Sequence, residues 1–166
     1  MQNLSHRKAT LNDIKAIVEL LLEDELGQSR ENSTILEPYI KAFHEIDKDL
    51  NQYLMVVEKD SEIIATCHLT LMPSLTFTGS TRMQIEAVRT RAALRGQKIG
   101  GWMMTQAISY GKARGASIIQ LTTNKKRPRA EHFYQQIGFE SSHEGMKLYL
   151  KNLKELAVVI LMDLVY

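Results

Sequence analysis

Apolar residues recur along this chain with two different periods, and each switch of period marks an element. In "NDIKAIVELLLEDEL", after a short strand at "KAT", Ile14, Ile17, Val18, Leu21 and Leu22 fall on one side of a helix that Asn12 or Asp13 can cap. "LEPYIKAFHEIDKDL" places Pro38 at a first helical position and Tyr39, Ile40, Phe43 and Ile46 on its apolar side. "YLMVVEKDSEIIATCHLTLM" then reads as two strands joined at Lys59-Asp60-Ser61 and halted by Pro73. In the strand "RMQIEAVRT", alternation sends Met83, Ile85 and Ala87 one way and Gln84, Glu86 and Val88 the other. A helix is predicted over residues 98–113, burying Ile99, Met103, Ala107 and Tyr110, with Gly115 to end it. "SIIQLTT" reads as a buried strand, and "PRAEHFYQQIGF" as a helix begun by Pro128 and stopped by Gly138. "HEGMKLYL" reads as a last strand. The order β-α-α-β-β-β-α-β-α-β predicts a single mixed α/β domain.

Bulk properties narrow the function classes. With 166 residues and 44% hydrophobic content, the chain suits one globular domain. "MQNLSHRKATLND" lacks the apolar stretch of a signal peptide. The longest apolar run, "LAVVILM", falls far short of the ~20 residues that span a bilayer. No membrane role is expected, and Cys67, without a second cysteine, points to a reducing, cytoplasmic setting. No His/Cys cluster has metal-ligand spacing, so no metal is expected.

A net charge of +2 conceals an asymmetry. Residues 87–130 hold ten Lys or Arg and no Asp or Glu, whereas residues 1–86 hold fourteen acids against eight bases. The basic block surrounds "LRGQKIGGWMM", a glycine turn opening a helix. Unpaired N–H groups and partial positive charge at a helix N-terminus stabilise an anion. Gly96 lets the backbone pass close to a ligand, Gly100 and Gly101 leave the first turn bare, and Arg95 and Lys98 add full charges. No Ser or Thr follows a Gly-Lys pair, so this is not a nucleoside-triphosphate loop, and no G-x-G-x-x-G supports a dinucleotide fold.

With "AEHFYQQIGF" downstream of this turn, the chain resembles the GCN5-related N-acetyltransferase (GNAT) family. Arg95 and Gly100 match its R/Q-x-x-G-x-G/A motif; Ala130, Phe133, Tyr134, Gly138 and Phe139 match its A-x-x-F/L-Y-x-x-x-G-F motif. The resemblance implies an acyl-CoA N-acyltransferase fold over residues 1–151, a mixed central sheet flanked by helices. It also implies transfer of the acetyl group of acetyl-coenzyme A to a primary amine of a small molecule or peptide, by direct attack in a ternary complex. The implied cofactor-binding set is Val88, Arg89, Thr90, Arg95, Gly96, Gln97, Lys98, Ile99, Gly100, Gly101, Arg127 and Tyr134. Lys98 stands where the family usually has glycine. It is expected within the first helical turn, adding charge with little strain. Arg127 replaces a frequent asparagine and is expected to serve the phosphate or pantetheine region.

An alkylammonium of pKa near 10.4 is neutral only about once in a thousand at pH ~7.4, so deprotonation of the acceptor matters. The resemblance implies Glu86 as the base and Tyr134 as the group that steadies the departing sulfur. Glu23, Asp24, Glu25 and Glu31 fall on the implied acceptor side, where they are expected to draw in a small cationic amine. Cys67 and His68 read as a buried small residue and a satisfied histidine. A non-catalytic acyl-coenzyme A sensor is the alternative class. A nucleic-acid-binding module is disfavoured, because Trp102, Tyr110, Phe133 and Tyr134 sit mostly at helical core spacing rather than among the charges. The apolar tail, residues 152–166, reads as an extension that packs on its own domain or, the favoured case, on a second copy to give a homodimer.

Overall fold

A computed structural model describes residues 3–149, the side chains of residues 25 and 26 excepted, and the tail lies outside the described residues. Strand β1 (Leu4–Lys8) leads through a 3-10 turn (Leu11–Asp13) into α1 (Ile14–Leu22), followed by a short α2 (Glu25–Gln28) and α3 (Glu37–Lys48). Strands β2 (Gln52–Lys59) and β3 (Glu62–Pro73) form a hairpin, and the four-residue α4 (Thr76–Gly79) turns the chain into β4 (Thr81–Thr90). Helix α5 (Ile99–Ala113), β5 (Ala116–Leu121) and α6 (Pro128–Gln136) complete the order. The sheet runs β1-β2-β3-β4-β5, antiparallel through β4, with β4 and β5 parallel. The parallel pair is what the crossover helix α5 demands.

Alternation along β2, β3 and β4 divides the interior in two. Met55, Val57, Cys67, Leu69, Met83 and Ile85 pack against Ile99, Met103, Met104 and Ala107 of α5. Leu54 and Val56 face the other way, onto Ile14, Ile17 and Val18 of α1 and Phe43 of α3. On that second face, the Arg7 guanidinium holds Asp13 at 2.6 Å and Glu58 at 2.6 Å. Asp13 also accepts from the Thr10 amide at 2.7 Å, so it fastens the 3-10 turn that precedes α1.

Two departures from the sequence pattern have local causes. The short α2 and α4 carry too few residues to show a period, and none was expected. Of the strand expected at "HEGMKLYL", the described part joins no ladder: Met146 is 96% exposed and Leu148 61%. Its alternation amounts to two residues. One such stripe returns little against the roughly 1–2 kcal/mol of backbone entropy each ordered residue forfeits.

Candidate active site

The sheet opens between its last two described strands. β4 and β5 pair from Thr81↔Ala116 to Ile85↔Leu121 and there part. On its other side β4 carries a bulge: His68 pairs with Glu86 and Thr66 with Arg89, so Ala87 and Val88 together oppose Cys67. Ala87 takes φ +51°, a left-handed conformation that costs an L-residue about 1–2 kcal/mol. The bulge corrects the strict alternation expected of "RMQIEAVRT". Arg89, not Val88, shares the face of Glu86, because both are paired with residues on the α1–α3 side. The Arg91 amide donates to Ile64 of β3 at 2.8 Å. By alternation, the peptide groups of Val88 and Thr90 therefore point away from β3, into the gap. Two arginines occupy their carbonyls: Arg89 Nη1 donates to Val88 O at 2.9 Å and Arg95 Nε to Thr90 O at 3.2 Å.

At the head of this gap lies the glycine turn. Lys98 is not in the first helical turn but caps α5 with φ +64° and ψ 7°, a left-handed residue with a side chain. The expectation of little strain is thus overturned: a lysine holds the conformation that glycine takes without penalty. Trp102 N–H donates to Lys98 O at 3.0 Å, while the amides of Ile99, Gly100 and Gly101 ahead of it have no acceptor among the described residues. A Cβ on Gly100 would lie 3.6 Å from Phe133 Cζ and Thr90 Oγ1, and one on Gly101 would meet nothing within 4 Å. No protein group forbids side chains there, so the bare surface is space left for a ligand. Open amides, exposed Arg95 and Lys98 and that bare surface together fit a pyrophosphate.

Between the gap and the end of α1 runs a cleft of about 730 Å³, lined by Glu23, Asp24, Val88, Thr90, Arg95 and Arg127 among others. A clasp crosses it. Asp24 lies 3.2 Å from Arg89 Nε, accepts from the Gly27 amide at 2.7 Å and is bonded by Arg127. Glu23 accepts from the Ala92 amide, and Arg95 donates to the Glu23 carbonyl at 3.0 Å. Burial works to raise the Asp24 pKa, but the Gly27 amide and the two guanidinium charges overcome it and leave the carboxyl below its ordinary value. Glu31 accepts from the Tyr39 hydroxyl at 2.9 Å. Of the carboxylates expected to attract an ammonium, Glu23, Asp24 and Glu31 are therefore committed to partners of their own.

Tyr134, on α6, packs between Phe133 and Phe139 with centroids 5.2 and 6.0 Å away. Burial raises its pKa, against the pull of Arg89 and Arg127. Glu86 is exposed, and neither Arg82 nor Arg89 pairs with it: Arg82 donates to Ser74 and Arg89 faces Asp24.

On the α1–α3 side of the bulge lies a second opening, about 150 Å³, lined by Val18, Leu21, Phe43, Ile46, Thr66, His68 and Ala87 among others. Ala87 lines this cavity and Val88 lines the cleft, so the two openings lie against adjacent residues of the bulge. His68 Nε2 is buried with no hydrogen-bond partner among the described residues, which overturns the satisfied histidine expected from sequence. Burial lowers its pKa while neighbouring Glu86 opposes the shift, and the imidazole is uncharged at neutral pH. Cys67 points to the opposite face, where burial pushes its thiol up to about 12 and leaves it inert. Sequence reasoning missed the cavity role of His68, which depends on the registers of three strands. It placed Asp24 on the acceptor side but missed its clasp, whose arginine partners lie 65 and 103 residues away.

Comparison with known proteins bears on this arrangement. Residues 14–139 match the model of the acetyltransferase (GNAT) family. A transcriptional regulator from Bacillus halodurans C-125 superposes with a TM-score of 0.86 at 44% identity, over 89% of this chain and 99% of that one. Glucosamine-6-phosphate N-acetyltransferase from Arabidopsis thaliana, 22% identical over 89% of this chain and 99% of its own, has a TM-score of 0.74 and shares the fold. Aminoalkylphosphonate N-acetyltransferase from Salmonella typhimurium is 35% identical over 60 residues, which are 36% of this chain and 39% of that protein.

Proposed function

The chain belongs to the acetyltransferase (GNAT) family, and on that premise we propose that it acetylates a primary amine from acetyl-coenzyme A by direct attack. The observation that carries this reading is the bulge at Ala87 and Val88. It aims the Val88 and Thr90 peptide groups, whose carbonyls Arg89 and Arg95 hold, into a gap whose head is a helix N-terminus with free amides.

In this reading the amides of Ile99 to Gly101, with Arg95 and Lys98, hold the pyrophosphate, and Val88 and Thr90 hold the pantetheine arm as a strand would. Gly96, Gln97 and Arg127 line its path. Bound acetyl-coenzyme A supplies an acyl group already activated as a thioester. The Val88 N–H polarises the acyl oxygen, since a donor fixed in place needs no reorganisation as charge develops. Glu86, exposed to water on the acceptor side, receives the proton that the amine gives up. Tyr134 donates a hydrogen bond to the departing sulfur. Full proton transfer from a phenol near pKa 10 to a thiolate near 8.5 is uphill by about 2 kcal/mol, and the raised pKa of Tyr134 makes it more so.

Release of free thiol from acetyl-coenzyme A, measured with a panel of amines, tests the reading. Tyr134→Phe should lower kcat about tenfold, as loss of roughly 1.4 kcal/mol of transition-state stabilisation does, with acetyl-coenzyme A affinity unchanged. A second reading, a non-catalytic acyl-coenzyme A sensor, draws on the description of the 44% identical Bacillus halodurans protein as a transcriptional regulator. Tight acetyl-coenzyme A binding with no thiol release for any amine would favour it.

A further inference from the structure

The cavity between α1, α3 and the sheet is apolar apart from Tyr39, whose hydroxyl is engaged by Asn32 and Glu31, and two polar side chains of β3, which differ. Thr66 Oγ1 is spent on the Met55 carbonyl at 2.8 Å; His68 Nε2 has no partner. A buried polar atom left unpaired in a folded protein calls for a ligand or water. The cavity touches Ala87, next to the Val88 peptide on which the acyl group is to be held. A group seated there would hold an attached amine one residue along the bulge from that peptide. The volume, about 150 Å³, is one that admits benzene when an apolar cavity of that size is engineered into another protein.

We propose that the acceptor is a primary amine bearing a compact, uncharged apolar group, a branched alkyl chain or a single aromatic ring, that seats between Val18 and Leu21 of α1 and Phe43 and Ile46 of α3, while His68 Nε2 accepts a hydrogen bond from its amine. The inference rests on the acetyltransferase reading and names its substrate class. Polyamines and aminoglycosides are poor fits on the same grounds. Their further ammonium groups would find Glu23, Asp24 and Glu31 already engaged, and the neutral imidazole offers no counter-charge.

Steady-state kinetics at saturating acetyl-coenzyme A can compare isoamylamine and 2-phenylethylamine with ethanolamine and putrescine. The first two should show kcat/KM at least about tenfold higher, the scale on which a hydrophobic pocket discriminates. Ala42, exposed on α3 and lining the cavity, can be replaced to narrow it. Ala42→Trp should raise KM for the apolar amines about tenfold, with acetyl-coenzyme A affinity and thermal midpoint unchanged. Equal kcat/KM across the panel, or an unchanged KM for 2-phenylethylamine in Ala42→Trp, overturns the proposal. If no amine is turned over, the acetyltransferase reading fails separately, and carbon-13 methyl spectra decide the cavity. Shifts at Ile17 and Val18 on adding 2-phenylethylamine, absent in Ala42→Trp, uphold it; no shifts overturn it.

Discussion

The two faces of the central sheet are built from the same strands and do different work. Toward α5, side chains such as Met55, Leu69, Met83 and Met103 are wholly buried and apolar. Toward α1 and α3, the same strands present Thr66, His68, Glu86 and Arg89 beside Leu54 and Val56. That second face holds a cavity, an orphaned nitrogen and the side chains that clasp the cleft. One face maximises burial; the other gives up packing to keep groups available. His68 and Leu69 condense the contrast into adjacent residues.

The largest expected effect breaks the comparison at that pair. Leu69→Ala should destabilise by about 3 kcal/mol, within the range for deleting a buried leucine, and leave kcat per folded molecule unchanged. His68→Leu should act oppositely, raising stability by about 1 kcal/mol because a buried unpaired nitrogen is removed, while impairing turnover. Urea titrations alongside thiol-release assays separate the two. Parallel behaviour of the variants would mean that the faces are not specialised.

A smaller effect sharpens the comparison through pH. The Arg7 hydrogen bond outweighs burial and holds Asp13 at about 2, against an ordinary 3.8. A carboxyl depressed in the folded state gives stability that is complete above the unfolded pKa and is lost as pH falls through the folded one. Between about pH 4 and pH 2, some 2 kcal/mol should disappear from the α1 face. Asp13→Asn should show a correspondingly flatter acid limb in denaturant titrations. The α5 face has no titrating group in its buried cluster other than Cys67 and should not respond to acid.

The smallest concerns the turn where the faces meet. Lys98→Gly should relieve left-handed strain and stabilise by about 1 kcal/mol. Loss of one exposed charge should weaken acetyl-coenzyme A binding roughly fivefold, equivalent to about 1 kcal/mol. Lys98→Arg should change neither by calorimetry or thermal melting. A glycine variant that is less stable would refute the strain.

Much of the framework was readable from sequence because its signals are local. Helices α1, α3, α5 and α6 and strands β2 to β4 follow from apolar periods and from stops at Pro73, Gly115 and Gly138. The glycine turn that opens α5 was legible from its glycines and its charge. What escaped notice was non-local or disguised. Val88 and Arg89 reverse the apolar-polar rhythm that runs from Met83 to Ala87, but one reversal at a strand end does not by itself locate a bulge at Ala87. A lysine in "GQKIG" reads as a helix former, yet the chain needs a left-handed residue there. The orphaning of His68 and the clasp of Asp24 depend on neighbours that only the assembled sheet supplies.

The arginines on the Val88 and Thr90 carbonyls carry a consequence for what can trespass on this protein. A gap in a sheet is an open edge, and an extended peptide of any sequence could in principle add itself there as a stray strand. Here the edge is already sealed by Arg89 and Arg95. An uncharged peptide must evict both guanidinium groups and offers them nothing in return. A molecule carrying phosphates supplies a better destination for the very groups it displaces. The seam is thus closed to neutral backbone and open to polyanions, a filter set by two side chains rather than by shape.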